Sequence, residues 1–465
     1  MTAIEGTIVA TAMPTIVGAL GDFDLMSWVF AAYLLTQAVT IPIYGRLADL
    51  YGRKPLLLAG IFIFLIGSVL CGLAWSMATL VGFRIVQGIG AGAVMPVGRT
   101  LIGDVYHGAD RARMQGYVSG AFIGSAVLGP LVGAFVVAHW AWPWVFWVNV
   151  PFGLAATAML AFLYRERIEA RERHIDYLGS LLLCLASGFL LFALAEASRL
   201  AIAVTLALVA LSAVALTLFV LCERRVAHPI WPMSLWRDRF IASGNIVCLA
   251  LGATTMAIAA FLPAYIQGVM GDSAFVAGLA LMGLSVLAPV GAVLAGRMML
   301  HFSYRSSATA GAVLFTLGCV MMALLDPTRG AGWAMASASL MGFGMGMNNN
   351  TYMVSIQAGT AWSQRGIATS SIIFTRILGQ AAGAAGFGGI LNAELSGRAG
   401  GADLVNRMLV PSARETLAPQ DLAPVMQAFD HALHSVFAIC VALALLVMAV
   451  GFLLPSGRGL RQDRT

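Results

Sequence analysis

The sequence predicts an all-α polytopic membrane protein, on the basis of its composition and the length of its apolar runs. Of its 465 residues, 60% are hydrophobic and 10% are charged, and the mean hydropathy is +0.88. Soluble domains carry about 25% charged residues and lack repeated apolar runs of ~18 residues. The runs here are continuous and about twice as long as the ~10-residue alternating segments of a membrane barrel, so the spans are predicted to be helices.

Apolar runs of about 17–25 residues predict fourteen membrane spans. The predicted spans are residues 4–20, 26–45, 56–75, 79–101, 114–137, 143–163, 177–197, 200–221, 241–268, 274–296, 305–324, 331–354, 366–391 and 431–454. If the N-terminus is cytoplasmic, most of the 27 lysines and arginines fall in cytoplasmic loops and the C-terminal tail. Because such loops are enriched in Lys and Arg, the pattern favours fourteen spans with both termini in the cytoplasm.

The spans suggest two halves of six helices with an additional pair between them. Residues 1–163 form the predicted N-terminal six-helix half. Residues 164–240 hold a charged cytoplasmic linker, "YRERIEARERHID", followed by two additional helices. Residues 241–465 form the C-terminal half, with a long outer loop at about 392–430. Related halves with a substrate site near the membrane midplane are a recurring transporter arrangement.

Several classes of chemistry are disfavoured by residue usage. All six cysteines lie in or beside apolar stretches without metal-ligand spacing, so no metal site is predicted. Lys54 is the only lysine and precedes Pro55, which excludes a GxxxxGK[ST] phosphate loop. We therefore expect no ATP site and no cofactor. The basic residues lie in short loops between spans, which indicates membrane topology rather than binding to nucleic acid.

The stretch "GRLADLYGRKP" (45–55) concentrates charge in a short cytoplasmic loop between the second and third spans. Its two glycines allow a tight turn. Asp49 can pair with a basic residue of the next cytoplasmic loop, and Arg53 can cap the carboxyl end of the second helix. Arg46 and Lys54 are interpreted as topology anchors. We predict that these contacts hold the cytoplasmic face closed and break when it opens, and we call them the conformational latch. The residues assigned to it are Gly45, Asp49, Gly52, Arg53, Arg111 and Arg113.

This loop resembles the signature between the second and third helices of the major facilitator superfamily. Other stretches are similar to the fourteen-helix drug:proton antiporter branch of that family, which is known for multidrug efflux. These stretches are "EGTIVATAMPTI" (5–16), "RIVQGIGAG" (84–92), "GSAVLGPLVGA" (124–134), "WPWVFWVNVPFG" (142–153), "FLPAYIQGVMGDSAFVAGL" (261–279) and "QRGIATS" (364–370). The resemblance covers nearly the whole chain and implies the major facilitator fold.

The resemblance also implies which residues couple transport to protons. Glu5 takes the place of the family's first-helix acid, and Arg84 that of its membrane-embedded arginine. Charges inside a bilayer are energetically costly and usually functional. Only four residues precede Glu5, so we expect either a shortened first helix or a native start upstream of Met1. The antiporter motif of the fifth helix corresponds to Gly124, Gly129, Pro130 and Gly133.

Amide side chains within the predicted spans are candidates for lining a substrate cavity, because an amide in a bilayer faces a cavity or bonds across helices. Those assigned to cavity lining are Gln37, Gln87, Asn348, Asn349 and Gln357. Structural bonding is an equal alternative for the asparagines. Arg99 and Arg376 are further arginines within spans. Glu196 and Arg199 are interpreted as residues that snorkel to the interface.

The predicted function is proton-coupled export of hydrophobic, cationic or amphipathic small molecules by alternating access, with antibiotic resistance as its outcome. Alternatives are a dedicated exporter of one peptide, lipid precursor or siderophore, and a sensor that has lost transport. The predicted partners are the substrate, protons and the bilayer, with a periplasmic adaptor and outer-membrane channel as further candidates. We expect a monomer in the cytoplasmic (inner) membrane of a bacterium, and no enzymatic activity.

Overall fold

The computed structural model describes residues 2–105, 108–164, 166, 176–197, 199–226, 233–360, 365–396 and 419–454. Within these ranges the chain forms fourteen long helices. They are α1 (Thr2–Leu20), α2 (Met26–Tyr51), α3 (Arg53–Gly72), α4 (Met77–Val105), α5 (Gly108–His139), α6 (Asn149–Leu163), α7 (Tyr177–Ala195), α8 (Ile202–Glu223), α9 (Arg239–Ala264), α10 (Ala274–His301), α11 (Tyr304–Ala323), α12 (Gly330–Gly359), α13 (Arg365–Ser396) and α14 (Pro419–Leu453). One helical turn, Trp144–Trp147, precedes α6, and a π-helical turn, Tyr265–Val269, continues α9.

Each predicted span overlaps one of these helices, so the sequence prediction of an all-helical protein is confirmed. Ten of the described helices are long and apolar enough to cross a membrane, while Ile4–Leu20 and Val127–His139 are shorter apolar stretches. The count of fourteen spans stays a prediction. The predicted loop at 392–430 is partly helical, since α13 continues to Ser396 and α14 begins at Pro419.

Contacts divide the chain into two compact units, Met1–Ile230 and Trp231–Thr465. In the first unit α4 packs against α2 and α3, α5 packs against α1, and α6 packs against α3. The second unit repeats these pairings eight helices later. There α12 packs against α10 and α11, α13 against α9, and α14 against α11.

Glycines produce the close approach of these helices, and they occupy matching places in the two units. A Cβ at Gly90 would overlap the backbone of Phe64 and Gly60, and a Cβ at Gly344 would overlap that of Phe315 and Gly311. The glycines two residues before and after each of these also allow close approach to a neighbouring helix. Gly88 and Gly92 of α4 approach α2, as Gly342 and Gly346 of α12 approach α10. Small residues let helix backbones touch in a membrane, where burial in lipid provides no driving force between helices. The same close approaches therefore recur in both units, while the arrangement of two six-helix halves stays a prediction.

The additional helices α7 and α8 pack against each other, and α7 packs against α2 of the first unit. At one end of this contact, Trp28 Nε1 donates to Glu196 Oε1 at 2.7 Å, and Arg199 pairs with Asp24. Trp28 also packs against the ring of Phe192. Glu196 and Arg199, which were interpreted as residues that snorkel to the interface, also have partners near the start of α2. Their interfacial role stays a prediction.

The α3–α4 contact generates a prediction about stability. Gly90→Val forces a side chain into the backbone of α3, and overpacking of this kind costs about 1–3 kcal/mol. Gly82→Val is the matched control on the same helix, since nothing lies within 4 Å of a Cβ at Gly82. We expect Gly90→Val to lower the apparent melting temperature of the purified protein well below that of Gly82→Val. Equal melting temperatures would contradict the close contact.

Candidate functional site

A buried polar network lies in the first unit, centred on Arg84 of α4. The side chain of Arg84 is 1% exposed and the carboxylate of Glu5 is 0% exposed. Arg84 Nη1 donates to Glu5 Oε1 at 2.6 Å and to Gln87 Oε1 at 2.6 Å. Its Nε donates to the carbonyl oxygen of Val29 at 3.1 Å. The two residues that the resemblance assigned to proton coupling therefore form a buried ion pair.

Aromatic rings enclose the guanidinium of Arg84. Its Cζ lies 4.0 Å from the ring centroid of Tyr33 and 5.9 Å from that of Phe146. Cation–π attraction to such rings is worth up to about 2 kcal/mol when the cation is desolvated. The arginine thus keeps favourable contacts beyond those with Glu5, which matters if the carboxylate loses its charge.

The second carboxylate oxygen of Glu5 accepts a hydrogen bond from Asn149 Nδ2, at the start of α6. Asn149 Nδ2 also lies 3.3 Å from the carbonyl oxygen of Phe146. That carbonyl accepts from Ser68 Oγ at 2.9 Å, and Ser68 Oγ accepts from Gln87 Nε2 at 3.2 Å. The network therefore joins α1, α3, α4 and α6. Such networks are costly unless their members are satisfied, because the surrounding dielectric is low.

Two buried atoms beside the ion pair have no hydrogen-bond partner in the described residues. They are the hydroxyl of Tyr33 and Oδ1 of Asn149. Buried polar atoms are normally satisfied, so unpaired ones call for an explanation such as a functional role or a bound water. Here they leave one donor and one acceptor available next to Glu5 and Arg84.

The predicted antiporter motif supports the helix that carries Glu5. A Cβ at Gly129 would overlap Thr7 Oγ1, and one at Gly133 would lie 2.8 Å from the carbonyl oxygen of Ile8. Pro130 is buried between them. Gly124 has nothing within 4 Å of a Cβ position, so the structure brings only the later part of this motif into contact with α1.

The predicted latch is seen only in part. The side chains of Asp49, Arg111 and Arg113, and the surroundings of Gly45, lie outside the described residues. Gly52 adopts φ +92° between α2 and α3, a conformation that favours glycine. Arg53 begins α3, and its guanidinium donates to the carbonyl oxygen of Thr100, 2.9 Å away near the end of α4. The predicted cap of Arg53 on α2 stays a prediction.

Glu166 is a contact of this loop that the sequence analysis missed. Its carboxylate accepts from the backbone nitrogens of Arg53 at 2.6 Å and Lys54 at 2.8 Å. It therefore caps the start of α3, where unpaired N–H groups and the helix dipole favour an anion. Lys54 Nζ in turn donates to the carbonyl oxygens of Ala161, at 2.8 Å, and Tyr164. The interpretation of Lys54 as only a topology anchor was incomplete, since its ammonium also caps α6.

The predicted cavity-lining amides lie in both units, and their contacts are described within each unit. Gln87 belongs to the network around Arg84, whereas Gln37 is buried on α2. In the second unit, Asn348 donates to the carbonyl oxygen of Gly344 at 3.0 Å, and Asn349 Oδ1 lies 3.9 Å from the thiol of Cys248. Gln357 is exposed and lies 3.4 Å from Thr369 Oγ1. The bond of Asn348 within α12 is the structural role that the sequence left as an equal alternative.

Among the described residues, the second unit carries no charged pair at the positions that match Glu5 and Arg84. Arg84 lies six residues before Gly90, and Ala338 lies six residues before the matching Gly344. In the first unit Gly133 approaches Ile8, and Glu5 lies three residues before Ile8. In the second unit Gly383 approaches Ala253 in the same way, and the residue three positions before Ala253 is Ala250. Both alanines are buried, so the repeated scaffold carries the ion pair in one unit only.

Asn149, Ser68 and Tyr33 were absent from the sequence-based assignments. Asn149 lies within the stretch "WPWVFWVNVPFG", whose resemblance to the family was a usable signal. Ser68 and Tyr33 carry no such signal, because a serine or tyrosine within an apolar helix is ordinary. Their role depends on which helix faces lie opposite Arg84.

The buried pair generates a prediction for double-mutant analysis. Arg84→Gln leaves the Glu5 carboxylate buried without a cation, and breaking a buried pair costs about 3–5 kcal/mol. Adding Glu5→Gln removes the stranded charge, so we expect the double variant to melt at a higher temperature than Arg84→Gln alone. Arg329→Gln is the control, because Arg329 is an exposed arginine stacked on Trp333. Additive losses from the two substitutions would contradict the pairing.

The Glu166 cap generates a second prediction. Glu166→Ala removes the acceptor of two backbone amides, and losing an N-terminal cap costs about 0.5–2 kcal/mol. Hydrogen exchange in the segment 53–56 should accelerate about tenfold, which corresponds to ~1.4 kcal/mol. Asp176→Ala is the matched control, because Asp176 caps α7 through the amide of Gly179. It should speed exchange at α7 and leave α3 unchanged. Unaltered exchange at 53–56 in Glu166→Ala would contradict the cap.

Comparison with known proteins agrees with this fold. Residues 1–384 match the family described as the Major Facilitator Superfamily. The chain is 33% identical over 413 residues to multidrug resistance protein 3 of Bacillus subtilis, covering 86% of this chain and 81% of that protein. It is 32% identical over 402 residues to the multidrug transporter protein MdtP of the same organism, covering 84% and 73%.

A solved structure supports the fold independently. A bacterial homologue of the human lysosomal transporter Spinster superposes with a TM-score of 0.65 at 16% identity, covering 100% of this chain and 95% of that one. The family match and the relatives named as transporters confirm the sequence prediction of a membrane transporter rather than an enzyme. The chain belongs to the Major Facilitator Superfamily.

Proposed function

We propose that this transporter exports hydrophobic and amphipathic small molecules, cations among them, in exchange for protons. The observation that carries the proposal is the buried ion pair of Glu5 and Arg84 within a transporter fold. A carboxylate held inside a bilayer is costly to keep charged, so such residues commonly mark proton and substrate pathways. The relatives named for multidrug resistance and multidrug transport support the substrate class.

The contacts of Arg84 suggest how Glu5 exchanges a proton. Nη1 of Arg84 has two acceptors, Glu5 Oε1 and Gln87 Oε1. When Glu5 takes up a proton, Arg84 keeps Gln87, the carbonyl oxygen of Val29 and the face of Tyr33. The arginine is therefore never left without partners, which lowers the cost of neutralising the carboxylate. Protonation weakens the ion pair that joins α1 to α4. This change shifts the equilibrium between the conformations of the transporter.

Transport would follow from movement between states open to either side of the membrane. In this proposal, substrate and proton compete for the polar network. The segment from Gly45 to Arg53, which the structure shows as the end of α2 and the start of α3, stabilises the cytoplasm-closed state. One charge that crosses a potential of 100 mV supplies about 2.3 kcal/mol, before any pH gradient is added. The proposal includes fourteen spans, the inner membrane of a bacterium, cytoplasmic termini, and coupling to a proton gradient without a cofactor.

Inverted membrane vesicles test this function. With a respiration-generated pH gradient, addition of lipophilic cations and neutral drugs should dissipate the gradient in vesicles that carry the wild-type chain. Glu5→Gln removes the proton site and Arg84→Ala removes its counter-ion, so we expect dissipation to fall to the level of empty vesicles in both. Arg329→Gln should behave as the wild type, because it leaves the network intact.

The outcome separates the candidate functions. If no compound dissipates the gradient although the protein is inserted, the multidrug proposal is wrong and a dedicated exporter of one metabolite becomes the better reading. If dissipation persists in Glu5→Gln, Glu5 does not carry the proton.

A further inference from the structure

His434, on α14, is an ionisable side chain outside the network around Arg84. Its Nε2 lies 2.7 Å from the carbonyl oxygen of Leu325. Its Nδ1 lies 2.8 Å from the carbonyl oxygen of Asp430, one turn earlier on α14, and 3.3 Å from Asp430 Oδ1. Each ring nitrogen therefore faces a carbonyl oxygen, which can accept a hydrogen bond but cannot donate one.

These contacts indicate which protonation state of His434 fits the structure. A neutral imidazole has one N–H donor and one nitrogen with a lone pair, whereas an imidazolium has two N–H donors. A neutral ring would direct its lone pair at one of the two carbonyl oxygens, at hydrogen-bonding distance. Only the imidazolium donates to both carbonyl oxygens at once.

The bond to Leu325 joins two helices of the second unit. Leu325 is 1% exposed and follows the end of α11, which packs against α14. Elsewhere in the same contact, Thr316 Oγ1 of α11 donates to the carbonyl oxygen of Ala444 of α14 at 3.1 Å. The first bond depends on an ionisable side chain and the second does not, so a change of pH acts on one end of the contact only.

His434 lies near the point where α14 enters the membrane. The part of α14 that follows it, through Leu453, has about the 20 residues that cross a bilayer. Its partner Leu325 directly follows the apolar span Tyr304–Ala323 of the neighbouring helix. The side chain of His434 is 28% exposed, so water at this level can supply and accept a proton.

Aromatic rings pack beside the imidazole. The ring centroid of His434 lies 5.9 Å from that of Tyr265, in the π-helical turn after α9, and 6.1 Å from that of Phe437 on α14. The phenol of Tyr265 is the titratable group that this turn brings to the ring, and Tyr265 is fully buried. The rings therefore cover part of the imidazole and leave its two nitrogens to the carbonyl oxygens.

Charged groups reach His434 from the other elements packed on α14. Asp430 lies on α14 itself. The turn after α11 carries Asp326, on whose carboxylate the charges of Arg329 and His434 act. α13 also packs against α14, but its acid Glu394 forms no ion pair with His434 among the described residues. A proton on His434 thus lies near two carboxylates, one of which is in contact with the ring.

We propose that His434 is a proton-binding site of the second unit, which holds the end of α11 against α14 when the imidazole is protonated and releases it when the proton leaves. A neutral ring keeps its bond to Leu325 or its bond to Asp430, but not both. Histidine changes charge between about pH 5 and 8, so the contact responds to pH in the physiological range.

This site goes beyond the proposed exchange of protons at Glu5, and the contact of His434 stands without it. In the proposed topology the turn after α11 faces the outside, from which the exchanged protons enter. Only this use of the site rests on the proposed function. Acid outside would then fix the end of α11 on α14.

Hydrogen exchange of the purified full-length protein, without any proton gradient, tests the contact. The backbone amides of Leu324 and Leu325 are bonded to carbonyl oxygens of α11, so their exchange reports opening of this end. After correction for the intrinsic pH dependence of exchange, we expect segment 324–329 to exchange about tenfold faster at about pH 8 than at about pH 5.5, the scale of one charge-assisted hydrogen bond. The segment around Thr316 should show no such change.

A matched pair of substitutions on one helix assigns the effect to His434. His434→Gln removes the ionisable group, so exchange of segment 324–329 should become the same at both pH values. His431→Gln is the control, because His431 is an exposed histidine one turn earlier on α14. It should keep the tenfold difference of the wild type.

A second variant keeps the test decisive if His434→Gln does not fold. Asp430→Asn removes the carboxylate beside the ring and retains the histidine. It should move the midpoint of the pH dependence to lower pH, because the imidazolium loses a neighbouring negative charge. Titration of the histidine ring signals by NMR in this variant and in the wild type should give one signal with the same midpoint as the exchange.

The proposal is overturned if segment 324–329 exchanges equally at both pH values, if His434→Gln keeps the difference, or if His431→Gln loses it. A change of equal size around Thr316 would also overturn it, since pH would then act on the whole contact. Glu5→Gln should leave the pH dependence of this segment intact. If it does, and vesicles carrying Glu5→Gln still dissipate the gradient, the proposed proton role of Glu5 fails and the His434 site stands.

Discussion

The ion pair between Glu5 and Arg84 is the interaction on which the first unit depends. Two opposite charges, both almost fully buried, can remain in an apolar interior only while each has a partner. That requirement positions five helices, α1 to α4 and α6. Asn149 brings α6 to the carboxylate, Gln87 and Ser68 connect α4 to α3, and the carbonyl oxygen of Val29 brings α2 to the guanidinium. Gly129 and Gly133 then allow α5 to lie directly against the helix that carries Glu5.

The two units share a scaffold of helix contacts but not its chemistry. The glycines of α4, at 88, 90 and 92, make the same backbone approaches as those of α12, at 342, 344 and 346. On this common scaffold the first unit holds a neutral ion pair, whereas the second holds buried alanines at the matching positions. In the proposed proton-coupled mechanism, the first unit is the one that exchanges protons at Glu5, because it holds the ion pair at these scaffold positions.

Contacts at the junction of α2 and α3 show how residues far apart in the sequence stabilise helix ends. Glu166 lies more than 110 residues after Arg53 and Lys54, and its carboxylate caps the helix that they begin. The ammonium of Lys54 in turn donates to carbonyl oxygens at the end of α6. Side-chain charges therefore pair with helix-end carbonyl and amide groups that have no partner within their own helices. A role of Lys54 in orienting the chain stays a prediction.

The sequence alone determined the helical class, the approximate bounds of each helix and the identity of the charged pair. Hydropathy is a local property, so runs of apolar residues predict helices without knowledge of their neighbours. Glu5 and Arg84 stood out because charges are rare in such runs. Tertiary structure decided the rest. It decided that Asn149 and not another amide contacts Glu5, that Glu166 caps α3, and that Glu196 and Arg199 pair with α2. These partners lie far apart in the chain, and only the packing of helix faces brings them together.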